Sequence, residues 1–127
     1  MNEHARAVIK TTVAVKPGHL EAVADLFAKT NPPLVASEPD WLEAVMTCDI
    51  ESNAVTVLAF WSNPASYLRF SASAAFTQTM RDFAPHLDGA PVVSLSHVVV
   101  GMTQDAVWRA PQPMARSAQK TSSPDTV

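Results

Sequence analysis

Residues 54 to 70 read AVTVLAFWSNPASYLRF, and the order of events in that stretch decides the fold. Ala54 to Trp61 is a run of β-branched and aromatic residues, the composition of a strand. Asn63 and Pro64 follow at once. Asparagine is a strong helix N-cap, and proline at the first helical position gives up an N–H that the helix would not use. A helix therefore starts immediately after Trp61, and a strand running straight into a helix is one half of a β-α-β unit.

Upstream, Trp41 to Ile50 is a second strand-like run, and the link Glu51-Ser52-Asn53 is short enough for a hairpin. Ala7 to Val15 is rich in β-branched residues and ends at the turn-forming Lys16-Pro17-Gly18, which makes it the first strand. From His19 to Lys29, Leu20, Val23, Ala24 and Phe27 recur at helical spacing, with Glu21 in the first turn where its charge suits the helix dipole. Asn31-Pro32-Pro33 is expected to end that helix, because two prolines remove two donors and disfavour the α region at Asn31. Leu34 to Asp40 then returns the chain to the sheet. Downstream, the helix begun at Pro64 is expected to break near Ser71-Ala72-Ser73 and to resume through the apolar stripe Phe76, Met80 and Phe83 until Pro85. Pro91 to Val100 reads as the last strand.

The order β-α-β-β-α-β predicts an α+β, ferredoxin-like fold: a four-stranded antiparallel sheet with helices on one face. The other face is then bare, and a second copy of the chain across a two-fold axis is the expected cover, so a homodimer is predicted. Residues 7–103 form the expected domain, preceded by an extension over 1–6. Residues 104–127 are rich in Pro, Ser, Gln and Ala and are expected to be mobile or to wrap a neighbouring subunit. No internal repeat is present.

Composition excludes several classes. A chain of 127 residues is one domain with one core. Hydrophobic residues make up 47%, which leaves apolar surface for a subunit interface. The formal net charge is −3 and the basic residues are scattered, so no nucleic-acid partner is expected. Cys48 is the only cysteine, which rules out an intramolecular disulfide and a cysteine metal cluster. No leader-like or membrane-spanning run is found, and a cytoplasmic protein with no membrane partner is expected. No two histidines lie at i, i+4 on a helix and the carboxylates are dispersed, so no metal site is assigned.

The candidate chemistry sits around the strand-to-helix junction. Alternation puts Val55, Val57, Ala59 and Trp61 on one face of their strand, and Tyr67 projects from the second turn of the following helix. If that face lies under the helices, the indole and the phenol border an apolar cleft, the usual form of a small-molecule site. Arg81 lies about 100° around the helix from Met80 and could reach the rim of such a cleft. On the first strand, Lys10 and Thr12 alternate with Ile9, Thr11 and Val13; either face could be the inner one, and Thr12 is carried forward as the polar contact. Phe70, Phe76, Met80 and His97 complete the candidate binding set. Each has a structural explanation beside the functional one. Trp61 can be core, Tyr67 a half-buried helix residue, Arg81 a surface cation, and His97 a hydrogen-bonded strand residue. His86 reads as a loop residue, and His4 and His19 are isolated.

Taken together, Trp61 at a strand end, Ser62, Tyr67 and Arg81 on the following helical segment resemble the antibiotic biosynthesis monooxygenase family of dimeric α+β barrels, over roughly Ala7 to Met102. The pattern is most similar to the cofactor-free quinol and anthrone oxygenases of aromatic polyketide pathways. The resemblance implies a catalytic set of Trp61, Tyr67 and Arg81 lining a cavity, a small aromatic substrate, dioxygen as co-substrate and no cofactor. Two departures stand out: the family's Trp-Glu-Ser becomes Trp61-Ser62, and the asparagine such enzymes place four residues before the tryptophan falls on Val57. Haem-degrading relatives use a tryptophan and an axial histidine that fall on Phe70 and Met80, and an asparagine on or next to Thr11, so a haem role is not expected. The alternative function is a non-redox member of the same fold, either a cyclase or isomerase acting by proton transfer or a binding protein.

Overall fold

The computed structural model describes residues 6–109. His4, most of the N-terminal extension and the tail beyond Arg109 lie outside the described residues. In chain order the elements are β1 (Ala7–Ala14), α1 (Leu20–Val35), β2 (Trp41–Asp49), β3 (Ala54–Trp61), α2 (Pro64–Ser71), α3 (Ala74–Phe83), β4 (Val92–His97), β5 (Val100–Met102) and β6 (Val107–Arg109). Strands 1 to 4 form one sheet in the order β2-β3-β1-β4, with each neighbouring pair antiparallel. This is the ferredoxin-like α+β arrangement, with the second helix divided as expected into α2 and α3.

The caps explain the division. Asn63 accepts a hydrogen bond from the Ala65 N–H at 3.0 Å with Pro64 opening α2, and Ser73 accepts from the Phe76 N–H at 3.1 Å to open α3. At the hairpin between β2 and β3, Asn53 adopts a positive φ of 55° and donates from its amide to the Val15 carbonyl at 2.8 Å. Asparagine tolerates that conformation better than most residues.

Register assigns the sheet faces. Ala7 pairs with Trp61, Ile9 with Ala59, Thr11 with Val57 and Val13 with Val55. Ala7, Ile9, Val13, Val55 and Trp61 are buried, so this is the face under the helices. Its core falls into two clusters. Ala7, Ile9, Val35, Trp61 and Phe70 pack at one end, and Val13, Val15, Val23, Val55 and Phe83 at the other. The opposite face carries Val8, Val45, Leu58, Phe60 and Val92 with Lys10, Thr12 and Thr56 among them; Val45 is 47% and Val92 70% exposed.

Two expectations need correction. Pro32 and Pro33 do not end α1, which continues to Val35. An interior proline costs about 3 kcal/mol, but Leu34 and Val35 pack against the Ile9–Trp61–Phe70 cluster, and burying such side chains returns about 1.5–3 kcal/mol each. The carbonyls left without helical donors belong to Ala28 and Lys29, both exposed and open to water. The chain thus rejoins the sheet only at Trp41. Similarly, Pro91–Val100 is not one strand. β4 stops at His97, the Val98 N–H bonds the Arg6 carbonyl at 2.9 Å, and Val100 begins the β5–β6 hairpin. In that hairpin Gly101 lies directly beneath the Trp108 indole, where an added Cβ would come within 2.2 Å of a ring carbon. No described helix is long and apolar enough to cross a membrane.

Candidate active site

A cavity of about 420 Å³ lies between the helix-side face of the sheet and α1, α2 and α3, bordered by members of both core clusters. Its aromatic wall grows out of the strand-to-helix junction. Trp61 ends β3 fully buried, and Tyr67, in the second turn of α2, meets it edge-on with ring centroids 5.8 Å apart and planes at 67°. Phe70 stands 5.1 Å from Trp61, and Phe76 of α3 stands 5.2 Å from Phe70, edge-to-face. These spacings are those of aromatic pairs held by packing and quadrupole geometry, so the wall is stiff.

A hydrogen-bonded clamp fixes the junction that carries this wall. The Asp40 carboxylate, just before β2, accepts from the Ser62 hydroxyl at 3.2 Å and, on its other oxygen, from the Ser66 hydroxyl. Arg69 donates to the Ser66 oxygen at 3.1 Å, and the Ser62 N–H bonds the Asp40 carbonyl at 2.8 Å. Ser66 is 4% exposed, and a buried hydroxyl satisfied on both sides ties the first turn of α2 to the start of β2.

Of the nine residues singled out from the sequence, Trp61, Tyr67, Val57, Phe70, Phe76 and Met80 line this one cavity. Thr12, Arg81 and His97 do not. Thr12 pairs with Thr56 on the open face, their hydroxyls 3.3 Å apart, and strand alternation puts Thr11 in the cavity instead. On α3 it is Phe76, Thr79, Met80 and Phe83 that turn inward; Arg81 is exposed on the solvent side. His97 shares the helix-side face but pairs with Ala7 at the far end of β4, whereas Val93 of that strand and Pro91 just before it contribute to the lining.

The lining is otherwise apolar, and among the described residues no acidic, basic or histidine side chain belongs to it. Its polar side chains are Thr11, Thr30, Asn31, Tyr67 and Thr79, and the lining indoles of Trp41 and Trp61 each carry one N–H. Thr30 donates to the Leu26 carbonyl at 2.7 Å and Thr79 to the Ala75 carbonyl at 3.0 Å, so both donors are already used inside their helices. Burial pushes the Tyr67 phenol above its ordinary pKa of 10.0, with the Ser71 hydroxyl pulling weakly the other way. Tyr67 is therefore a neutral donor at physiological pH, suited to meet an oxygen that gains negative charge and not to remove a proton.

The α1 residues of the lining escaped the sequence reasoning because the prolines closed that helix too early. The signal was present: continuing the Val23, Phe27 stripe in steps of three and four residues lands on Thr30 and Asn31 and then on Leu34 and Val35, all of them in the lining.

The α+β domain thus holds an aromatic-walled cleft under the helices of a ferredoxin-like sheet, the form that small-molecule sites usually take. The model of the antibiotic biosynthesis monooxygenase family matches residues 6–82, and the chain belongs to that family. Solved structures agree on the fold. A Caulobacter crescentus protein named for these monooxygenases superposes with a TM-score of 0.66 at 19% identity, over 77% of this chain and 93% of its own. A Bordetella bronchiseptica protein of the same designation gives 0.66 at 17%, over 72% and 95%. A conserved Methanosarcina mazei protein gives 0.64 at 15%, over 73% and 92%. No functionally curated protein matches the chain.

Proposed function

We propose that the protein is a cofactor-independent monooxygenase that oxidises a small aromatic of the anthrone, quinol or related phenol type with dioxygen. The observation that carries this is the aromatic wall of Trp61, Tyr67, Phe70 and Phe76 around a cavity of about 420 Å³, within a family named for monooxygenation. That volume lies in the range of small-ligand pockets and suits a flat fused-ring system.

For an anthrone the chemistry balances without another reductant. Loss of a proton from the ring methylene to water gives a delocalised carbanion. It passes one electron to dioxygen, and the resulting radical pair combines to a C–O bond, leaving a peroxide on the former methylene carbon. Loss of the remaining C–H proton with cleavage of the O–O bond forms the quinone carbonyl, and the departing oxygen leaves as water. Tyr67 donates its O–H to the substrate or peroxide oxygen as charge develops, Trp61 and Phe70 wall the rings, and the apolar lining keeps bulk water from the intermediate. Arg81, exposed and outside the lining, takes no direct part. The reading includes a cytoplasmic homodimer in which the open sheet faces pack together as a dimeric α+β barrel.

A second reading has its own support. Val57 brings no polar group to the cavity and Arg81 stands outside it, which also suits a non-redox member of the fold: a proton-transfer cyclase or isomerase, or a binding protein. Oxygen uptake by the purified, metal-free protein with a model anthrone separates the two. Uptake above a protein-free blank, with one atom of labelled dioxygen in the quinone and the other in water, supports the monooxygenase. Binding of the anthrone with uptake equal to the blank overturns it in favour of the non-redox reading.

A further inference from the structure

Asn31 is the only carboxamide in the lining among the described residues, and its side-chain hydrogen-bonding groups are not already used within the protein. It lies on α1 in the same inward stripe as Phe27, Leu34 and Val35. Its carboxamide makes no hydrogen bond to any described residue. Nor is it a sealed, orphaned group: the only fully buried unpartnered side-chain polar atom among the described residues is Arg6 Nε, and Asn31, half-buried, belongs to the lining of the cleft. A half-buried carboxamide held against an apolar cavity without a protein partner is costly unless water or a ligand pairs with it. The helix around it is maintained despite the adjacent Pro32 and Pro33, because Leu34 and Val35 are anchored in the core. The anchoring of the following turn also holds the Asn31 backbone beside the cavity.

Resting on the proposed aromatic site, we infer that Asn31 is a specificity-determining residue that selects ring systems bearing a carbonyl or hydroxyl on the edge facing α1. Tyr67 serves an oxygen on the side facing α2. The amide can donate to a carbonyl or accept from a phenol, whereas Tyr67, neutral and protonated, supplies a donor. The cavity thus asks for a polycycle oxygenated on two sides and discriminates against the bare hydrocarbon of the same shape. With no charged side chain in the lining among the described residues, neutral ligands are favoured over dianions.

The test is binding, read by quenching of intrinsic tryptophan fluorescence with 1,8-dihydroxyanthraquinone and with anthracene, for the full chain and for Asn31→Leu and Asn31→Asp. Anthraquinone is the already oxidised form, so turnover does not intrude. Asn31→Leu fills the space without a polar group, and Asn31→Asp is nearly isosteric but loses the donor and adds a charge. The wild type should prefer the quinone; Asn31→Leu should weaken quinone binding about tenfold while leaving anthracene unchanged or tighter. Asn31→Asp should weaken the quinone at least as much, and its circular dichroism and melting curve should match the wild type. If both ligands bind and either folded variant keeps the wild-type preference, the role of Asn31 is overturned while the aromatic site stands. If neither ligand binds the wild type, the aromatic site itself is overturned and this inference with it.

Discussion

Replacing Tyr67 by phenylalanine removes one oxygen atom from the cavity and little else. The ring contact with Trp61, at 5.8 Å and edge-on, depends on the phenyl framework and is retained. The hydroxyl is half-buried and its nearby protein partner is Ser71, so the loss in folding stability should stay within about 1 kcal/mol. The effect on turnover is expected to be much larger. A hydrogen bond from a neutral phenol to an oxygen carrying developing charge is worth about 1.5–3 kcal/mol. Each 1.4 kcal/mol corresponds to about tenfold in rate, so kcat/KM for oxygen uptake with 1,8-dihydroxyanthrone should fall by about one to two orders of magnitude. Because burial raises the phenol's pKa above 10.0, Tyr67 remains protonated between about pH 6 and 9, and the ratio of wild-type to variant rate should be flat across that range. An oxygen electrode with stopped additions, alongside a thermal melt of each protein, measures both quantities. A folded variant within about twofold of wild type would refute the donor role. A ratio that collapses as the pH approaches 9 would refute the claim that the neutral phenol is the active form.

Tyr67 is the only tyrosine in the chain, so an ultraviolet titration reports it alone. Its midpoint should lie above 10.0 in the native protein and return to 10.0 in denaturant. The stability linked to the neutral phenol is then fully present below pH 10.0 and lost as the pH rises through the higher folded value. Arg81→Ala should leave oxygen uptake within about twofold of wild type, since Arg81 is exposed outside the lining; a loss beyond tenfold would return it to the site. Leu58→Glu places a charge at the centre of the open sheet face and should give a folded monomer by light scattering; a persistent dimer would reject that face as the interface. Pro33→Ala restores a helical donor near the end of α1 and should raise stability by about 1–2 kcal/mol, read by chemical denaturation; a loss would mean that the ring itself packs usefully.

How much of this was legible follows from how local each signal was. The β3–α2 junction is written in consecutive residues: β-branched strand, Asn63 cap, Pro64 at the first helical position, and the caps form as the sequence implies. The aromatic wall inherits that legibility, because Trp61, Tyr67 and Phe70 are spaced by one strand end and two turns of one helix. Face assignment needed a partner strand. Thr11 and Thr12 are equivalent candidates from alternation alone, and only the pairing of Thr11 with Val57 and of Thr12 with Thr56 separates them. Arg81 stands outside the lining for a related reason: its position beside Met80 is as expected, but which flank of the stripe faces the sheet depends on how α3 packs.

The opposite wall shows where a local rule gives way to a global one. Two consecutive prolines are as strong a stop signal as a sequence contains, and on propensity alone the helix should end before Asn31. What overrides them is the Leu34–Val35 anchor, whose partners Ile9, Trp61 and Phe70 come from three other elements. The energies are comparable, about 3 kcal/mol for an interior proline against about 1.5–3 kcal/mol for each buried side chain, so neither term decides without the other. The retained helix carries Asn31 to the cavity. A chain that obeyed the prolines would take Leu34 and Val35 out of the lining along with Asn31, and the cavity would lose part of its wall together with the amide inferred above to select oxygenated rings.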